Sequence, residues 1–117
     1  ATVRGGLVPA TSYLGLRASD GTLVGMIQIR HALNDYLRRF GGHIGYSVRK
    51  GERRKGYAGE MLHLALEKCR EMGISRVLVT CDRENTASAR TILSNGGRLE
   101  GEGREGAGVT QRYWIEV

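Results

Sequence analysis

From Thr22 to His31 the chain reads T-L-V-G-M-I-Q-I-R-H, with Leu23, Ile27 and Ile29 set against polar partners toward its end. That period of two predicts a half-buried antiparallel strand. Tyr13-Leu14-Gly15-Leu16-Arg17 reads as the strand before it, and Ser19-Asp20-Gly21 as the tight turn that joins the two into a hairpin. Gly25, inside the return strand, predicts a bulge or a close approach of two backbones. Ala1 to Thr11 shows no period and holds the chain's one proline, Pro9, so it reads as an irregular lead-in.

The pattern changes after Ala32 to Gly42, a loop with one helical turn placed between two strands where it could line a site. His43 to Val48 is short and β-prone, Gly51 to Gly56 cannot continue it, and from Ala58 the apolar period becomes helical. Ala58, Met61, Leu62, Ala65, Cys69 and Met72 recur at steps of three and four along one face. Gly73 then stands where a left-handed cap ends a helix, with Ile74 placed for the apolar contact that accompanies it. Arg76 to Cys81 is a nearly continuous β-branched run, the mark of a strand buried on both faces beside a parallel neighbour. Strand, turn, helix and strand thus form a βαβ unit. Asn85 fits an N-cap, Ala87, Ala89, Ile92 and Leu93 give a short amphipathic helix, and Asn95-Gly96-Gly97 ends it. Arg98 to Gly108 is rich in glycine and glutamate and predicts a strand that starts and gives way to a mobile hairpin loop. Val109 to Val117 closes the chain as an apolar last strand.

A chain of 117 residues fits one domain, 1–117, and its 40% hydrophobic and 26% charged residues are those of a globular protein rather than a disordered one. Its net charge of +6 favours an anionic partner, and Arg49, Lys50, Arg53, Arg54 and Lys55 gather the charge into one patch. Cys69 and Cys81 lack metal-ligand spacing and read as small core residues, so no metal is expected. No run approaches the roughly 18 apolar residues of a membrane span, and no signal peptide is apparent, so no membrane partner and a cytoplasmic setting are the default. The chain begins Ala-Thr-Val, which points to a processed, tagged or truncated start.

Two glycine patterns fail as nucleotide sites. Gly51 and Gly56 have P-loop spacing, but Tyr57-Ala58 stands where lysine and a hydroxyl residue must supply charge and a magnesium ligand. Gly101, Gly103 and Gly106 match a dinucleotide fingerprint, yet no helix follows to aim its N-terminus at a pyrophosphate, so the stretch reads as a flexible loop. Arg53-Arg54-Lys55-Gly56-Tyr57-Ala58 is more specific. It lies between strand and helix, its small residues let backbone N–H groups approach an anion, and the helix dipole and basic side chains favour negative charge.

That hexapeptide matches the R/Q-x-x-G-x-G/A motif of the GNAT superfamily of acyl-CoA-dependent N-acyltransferases, and the order of elements from His43 to Gly97 resembles the family's. The resemblance runs from Tyr13 onward and is most specific between Tyr46 and Gly97. It implies an α/β (α+β) fold: a mixed, mostly antiparallel sheet, splayed at a parallel strand pair and flanked by helices. It further implies acetyl-CoA as cosubstrate. Tyr46, Ser47 and Val48 would run beside the pantetheine arm, Arg53, Arg54, Lys55, Gly56, Tyr57, Ala58 and Gly59 would hold the pyrophosphate, and Asn85 and Ser88 would meet the arm. As a bare helix opener, Asn85 reads equally well as an N-cap.

The implied chemistry is direct attack of a neutral amine on the acetyl thioester in a ternary complex, the oxyanion meeting a backbone N–H such as that of Val48. His43 is the candidate base, because its pKa is near neutrality and it lies close to where relatives carry a glutamate. Tyr46, His31 and Tyr113 are weaker candidates, and His63 reads as a helix-surface residue. The family's acid tyrosine would fall at Ile92, so that role is empty or filled elsewhere. The family's usual initial strand and helices are not found before Tyr13, which leaves open a short variant, a truncated domain, or a homodimer in which a partner subunit completes the acceptor site. The acceptor is expected to be a small-molecule amine. A catalytically silent CoA-binding module and a basic nucleic-acid-binding module are the alternatives. The second is disfavoured because aromatic residues are 6% of the chain and do not interleave with the basic patch.

Overall fold

Alternation and a tight turn build the first hairpin. In the computed structural model, which describes residues 8–117, strand β1 (Ala10–Leu16) pairs antiparallel with β2 (Leu23–Arg30). The strand begins at Ala10, directly after Pro9, rather than at Tyr13, and the Pro9 carbonyl accepts from the His31 N–H at 2.8 Å. Proline is tolerated there because its missing N–H falls at a strand start on the sheet edge. The rest of the expected lead-in lies outside the described residues. Gly15 faces Gly25 while Leu16 faces Leu23, so Val24 is the extra residue of a bulge. That extra residue turns Val24 inward, 3% exposed, and Leu23 outward, 37% exposed, against the alternation read from the sequence.

After a turn at Leu37–Gly41, strand β3 (Ile44–Val48) pairs antiparallel with β2. Helix α1 (Tyr57–Glu71) follows, then β4 (Arg76–Asp82), helix α2 (Thr86–Ser94), β5 (Arg98–Glu105) and β6 (Gly108–Glu116). The sheet order is β1-β2-β3-β4-β6-β5, and β3 beside β4 is its parallel pair. Helix α1 ends as its sequence requires. The Gly73 N–H donates to the Arg70 carbonyl at 3.0 Å and the Ile74 N–H to the Cys69 carbonyl at 2.9 Å, the paired bonds of a left-handed cap.

One face of the sheet packs on both helices. Ile27, Ile29, Ile44, Val77, Val79, Tyr113 and Ile115 meet Met61, Leu62, Ala65, Leu66 and Cys69 of α1 and Ile92 of α2 in one apolar cluster. Met72, expected on that face, is 37% exposed, because the helix is already closing. Both cysteines are free and buried, as their apolar settings predicted.

The glycine-rich stretch after α2 is an ordered strand and not a mobile loop. Strand β5 runs to Glu105, and only Gly106-Ala107 turns the chain into β6. Its glycines leave room for side chains from elsewhere: a Cβ on Gly103 would come within 3.0 Å of Arg112 Nη1 and 3.3 Å of the Phe40 ring. Glu100 fastens the outer face by accepting from Arg38, Arg112 Nε at 2.8 Å and Trp114 Nε1 at 2.5 Å. Its carboxyl is held down to about 2, first by Arg38 and then by Arg112 and Trp114.

Candidate functional site

A parallel pair that parts early leaves backbone groups unpaired, and here that happens beside the basic turn. Strands β3 and β4 share a single registered pair, Ile44 with Val79. On the other side of β3, the Arg30 N–H donates to the His43 carbonyl and the Arg49 N–H to the Val24 carbonyl. Antiparallel ladders alternate, so Gly45 and Ser47 complete the bonds to β2, while Tyr46 and Val48 turn their N–H and C=O groups away from it. These groups face the gap where β4 has diverged.

A cavity of about 750 Å³ opens along this gap. It is lined by Tyr46, Ser47 and Val48, by Arg53, Arg54, Gly56, Tyr57, Ala58 and Gly59, and by Asn85 and Ser88. Twelve residues were expected to touch one cofactor, and these eleven meet in one place; Lys55 is the exception. Its Nζ turns to Glu52 at 3.0 Å, and Arg17 reaches the same carboxylate at 2.7 Å. Glu52, the one acid among the described residues that line the cavity, is thereby neutralised. Its pKa is lowered, by Lys55 first.

The turn itself is basic and has the backbone shape that could cradle an anion. Arg54 adopts φ 64° and Gly56 φ 84°, flanking a run of N–H groups that lead into α1. A non-glycine residue held left-handed costs on the order of 1 kcal/mol, the kind of strain that clusters at ligand clamps. Gly56 occupies the N-cap position with no side-chain cap, so the first N–H groups of α1 are left for something else to accept. Arg53 is anchored by its Nε to the Val48 carbonyl at 3.2 Å.

The opposite wall comes from α2. Asn85 Oδ1 accepts from the Ser88 N–H at 3.1 Å, so Asn85 does cap its helix while also lining the cavity. The Ser88 hydroxyl lies 2.6 Å from the Tyr46 hydroxyl. Burial raises the Tyr46 pKa, and this outweighs the lowering by Ser88, so the phenol keeps its proton at neutral pH. Cys81 lines the same wall, and burial pushes its thiol up. Sequence reasoning gave Cys81 only a core role; nothing local marks a β-strand cysteine that faces a gap.

His43 does not join this group. It is 7% exposed, and its Nδ1 accepts the Leu78 N–H at 2.9 Å while its backbone N–H donates to the Leu78 carbonyl at 2.7 Å. That Leu78 N–H engages the lone pair a base would use, and burial lowers the pKa, so in this structure His43 clamps the start of the splay outside the residues that line the cavity. Of the weaker candidates Tyr46 lines the cavity, while Tyr113 and His31 lie elsewhere. Tyr113 is buried and donates to Gln111 at 2.9 Å, and His31 bonds Thr11 at 2.7 Å. His63 sits on the surface of α1, 3.4 Å from Glu67, as expected. Ile92 is wholly buried in the core. Among the described residues no cluster of three His, Cys, Asp or Glu side chains could hold a metal, and no helix is long and apolar enough to cross a membrane.

A mixed sheet splayed at its parallel pair, beside a helix with no side-chain cap and a basic turn at one end of the gap, is a GNAT-like α+β architecture. The family model of the acetyltransferase (GNAT) domain matches residues 8–98, and the chain belongs to that family. It is 32% identical over 85 residues to an uncharacterized N-acetyltransferase, YnaD, of Bacillus subtilis (strain 168), a match over 69% of this chain and 50% of the relative. An acetyltransferase (GNAT family) structure from Bacillus anthracis is 26% identical, with a TM-score of 0.73 over 90% of this chain and 65% of its own. The ribosomal-protein-S5-alanine acetyltransferase of Vibrio fischeri shares the fold at TM-score 0.75 and 15% identity, over 92% of this chain and 61% of its own. YncA of Salmonella typhimurium, solved with its cofactor acetyl-CoA, shares it at TM-score 0.65 and 17% identity, over 83% of this chain and 60% of its own. The chain therefore spans half the length of the curated relative and about three fifths of these structures.

Proposed function

We propose that the chain, acting as one domain, transfers an acetyl group from acetyl-CoA to an amine by direct attack in a ternary complex. The observation that carries the reading is the continuity of the cavity: one end is a cationic cradle of backbone N–H groups, and the adjoining wall is the unpaired edge of β3. The pyrophosphate would rest on Gly56 to Gly59 with Arg53 and Arg54 beside it. The pantetheine arm would run as an extra strand beside Tyr46 and Val48, whose carbonyl already accepts from Arg53 Nε. The Val48 or Tyr46 N–H, on a strand held in place by its ladder to β2, would be a preorganised donor for the oxyanion.

The acid role falls to the Tyr46 and Ser88 hydroxyls. Tyr46 holds its proton at neutral pH and shares a 2.6 Å hydrogen bond with Ser88, so the pair could pass a proton to a departing thiolate held beside them in the splay. With His43 committed to Leu78, no imidazole serves as base, and the amine attacks from its neutral fraction or gives its proton to water.

Calorimetry with CoA on the wild type and on Gly56→Glu tests the reading. The wild type is expected to bind, and the variant, which sets a carboxylate in the cradle, to lose at least tenfold in affinity, about 1.4 kcal/mol. Equal affinities, or no binding by the wild type, would sink it. Thiol release from acetyl-CoA across a panel of amines separates an enzyme from a silent CoA-binding module.

A further inference from the structure

The end of the cavity away from the cradle holds a cation without an anion. Arg30, the last residue of β2, lines the cavity with Gly41, Ile44, Gly45 and Thr80. Its Nη1 donates to the Gly41 carbonyl at 2.8 Å and to the Gly42 carbonyl at 3.3 Å. Its Nη2 lies over Gly45, where an added Cβ would come within 2.9 Å of it. Arg17, Arg38 and Arg112 each meet a carboxylate, but among the described residues none pairs with Arg30. Burial pushes its pKa down, the direction expected of a charge drawn from water without a counter-ion.

Position makes this cation relevant to the acceptor. A strand advances about 3.3 Å per residue, so Gly45 lies roughly 10 Å back along β3 from Val48. An arm entering from the cradle and running beside Val48 and Tyr46 would present its thioester toward Arg30. Glu52 is the one acid among the described residues lining the cavity, and it sits at the cradle, already held by Arg17 and Lys55. A plain alkylammonium meets repulsion at the Arg30 end. An amine that brings its own carboxylate meets the Nη2 donors, Nη1 being taken by the Gly41 and Gly42 carbonyls, and the nearby guanidinium also favours the neutral form of its nitrogen.

We propose that Arg30 binds a carboxylate of the acceptor, and that the acceptor is a small amine carrying a carboxylate close to its nitrogen, of the amino-acid type. This rests on the acetyl-CoA reading above. If Arg30 merely clamps the Leu37–Gly41 turn, its loss lowers stability without changing which amines are used.

Matched acceptors decide the matter: glycine against glycinamide and β-alanine against β-alaninamide, each compared at equal free-amine concentration. The wild type is expected to prefer the acids by on the order of tenfold or more in kcat/KM, the effect of a hydrogen bond to a charged group. Arg30→Gln should bring that ratio near one with the Kd for acetyl-CoA unchanged, and Arg30→Lys should keep part of it. If Arg30→Gln does not fold, Gly45→Ala, which displaces Nη2, should lower the ratio in its place. A wild type that uses amides as well as acids, or acetylates no acid, overturns the proposal, and so does a ratio that survives in both Arg30→Gln and Gly45→Ala. Calorimetry keeps the two readings apart. Acetyl-CoA binding with no preference for acids removes the acceptor assignment alone, whereas absent acetyl-CoA binding removes both.

Discussion

The hydroxyls of Tyr46 on β3 and Ser88 on α2 stand 2.6 Å apart, across a sequence separation of 42 residues. They close the wall of the cavity where strands β3 and β4 have parted. Removing the hydroxyl in Tyr46→Phe keeps the ring packed against the core and deletes only the hydrogen bond and the proton. The expected outcome is a loss of about 100-fold in kcat, within the range of general acid catalysis, with the Kd for CoA little changed. Because burial raises the Tyr46 pKa above its ordinary 10.0, the wild-type rate should show no alkaline loss from this group below about pH 10. Ser88→Ala should cost less, roughly tenfold, since the phenol remains. A Tyr46→Phe enzyme with wild-type kcat would remove the acid assignment.

His43 acts on stability. Replacing it with alanine leaves the buried Leu78 N–H without its acceptor, at an expected cost of about 1 to 3 kcal/mol. Its pKa is depressed in the folded protein, so the unfolded chain takes up the proton first as pH falls. The stability it contributes is complete above about pH 6.5 and is lost below it, down to the folded-state value. Thermal melts between pH 8 and 5 should show that decline in the wild type and a shallower one in His43→Gln. A rate profile whose neutral limb disappears in His43→Gln, with an unchanged melt, would restore the histidine as the base.

His43 also marks the boundary of what the sequence could disclose. Helix α1 and strand β4 were legible because their signals are local: a period of 3.6 residues, a glycine at the closing turn and an unbroken β-branched run. The basic turn was legible for the same reason, since Arg53 to Gly59 is one continuous stretch of turn and helix start. The bond that occupies His43 comes from Leu78, 35 residues away, and no local pattern announces it. Strand β5 was misread because its glycines look like a loop, whereas the cause of their small size, the Arg112 and Phe40 side chains, lies on other elements. Arg30 gave no signal at all, being one basic residue at the end of a strand. Its meaning arises only when the splay brings Gly41, Gly45 and Thr80 around it.

Glu52 tests whether the charge of the cradle is tuned. It binds Arg17 and Lys55 while lining the cavity, so it lowers the positive potential an incoming pyrophosphate meets. Glu52→Gln should tighten CoA binding by about two- to fivefold at low salt, with the gain fading as salt screens the freed cations. The partly exposed ion pairs it forms are worth little, so the melting temperature should move only slightly. Calorimetry at two salt concentrations checks both statements, and weaker binding in the variant would show that Glu52 positions the loop instead.

Gly25 and Gly56 separate packing from ligand binding among the glycines. A Cβ on Gly25 would stand 2.3 Å from the Ser47 carbonyl oxygen and 3.2 Å from Met61 Cε, so Gly25→Ala must push β3 away from β2 or shift α1. The expected cost is about 2 to 3 kcal/mol, with a weakened Kd for CoA because Ser47 and Val48 move with the strand. A Cβ on Gly56 meets nothing within 4 Å, and the penalty there is only that of a left-handed alanine, about 1 kcal/mol. Gly56→Ala should therefore melt only slightly earlier than the wild type and Gly25→Ala much earlier. If Gly25→Ala is as stable as Gly56→Ala, the close approach of β2 and β3 at the bulge is not what holds the edge of the cavity in place.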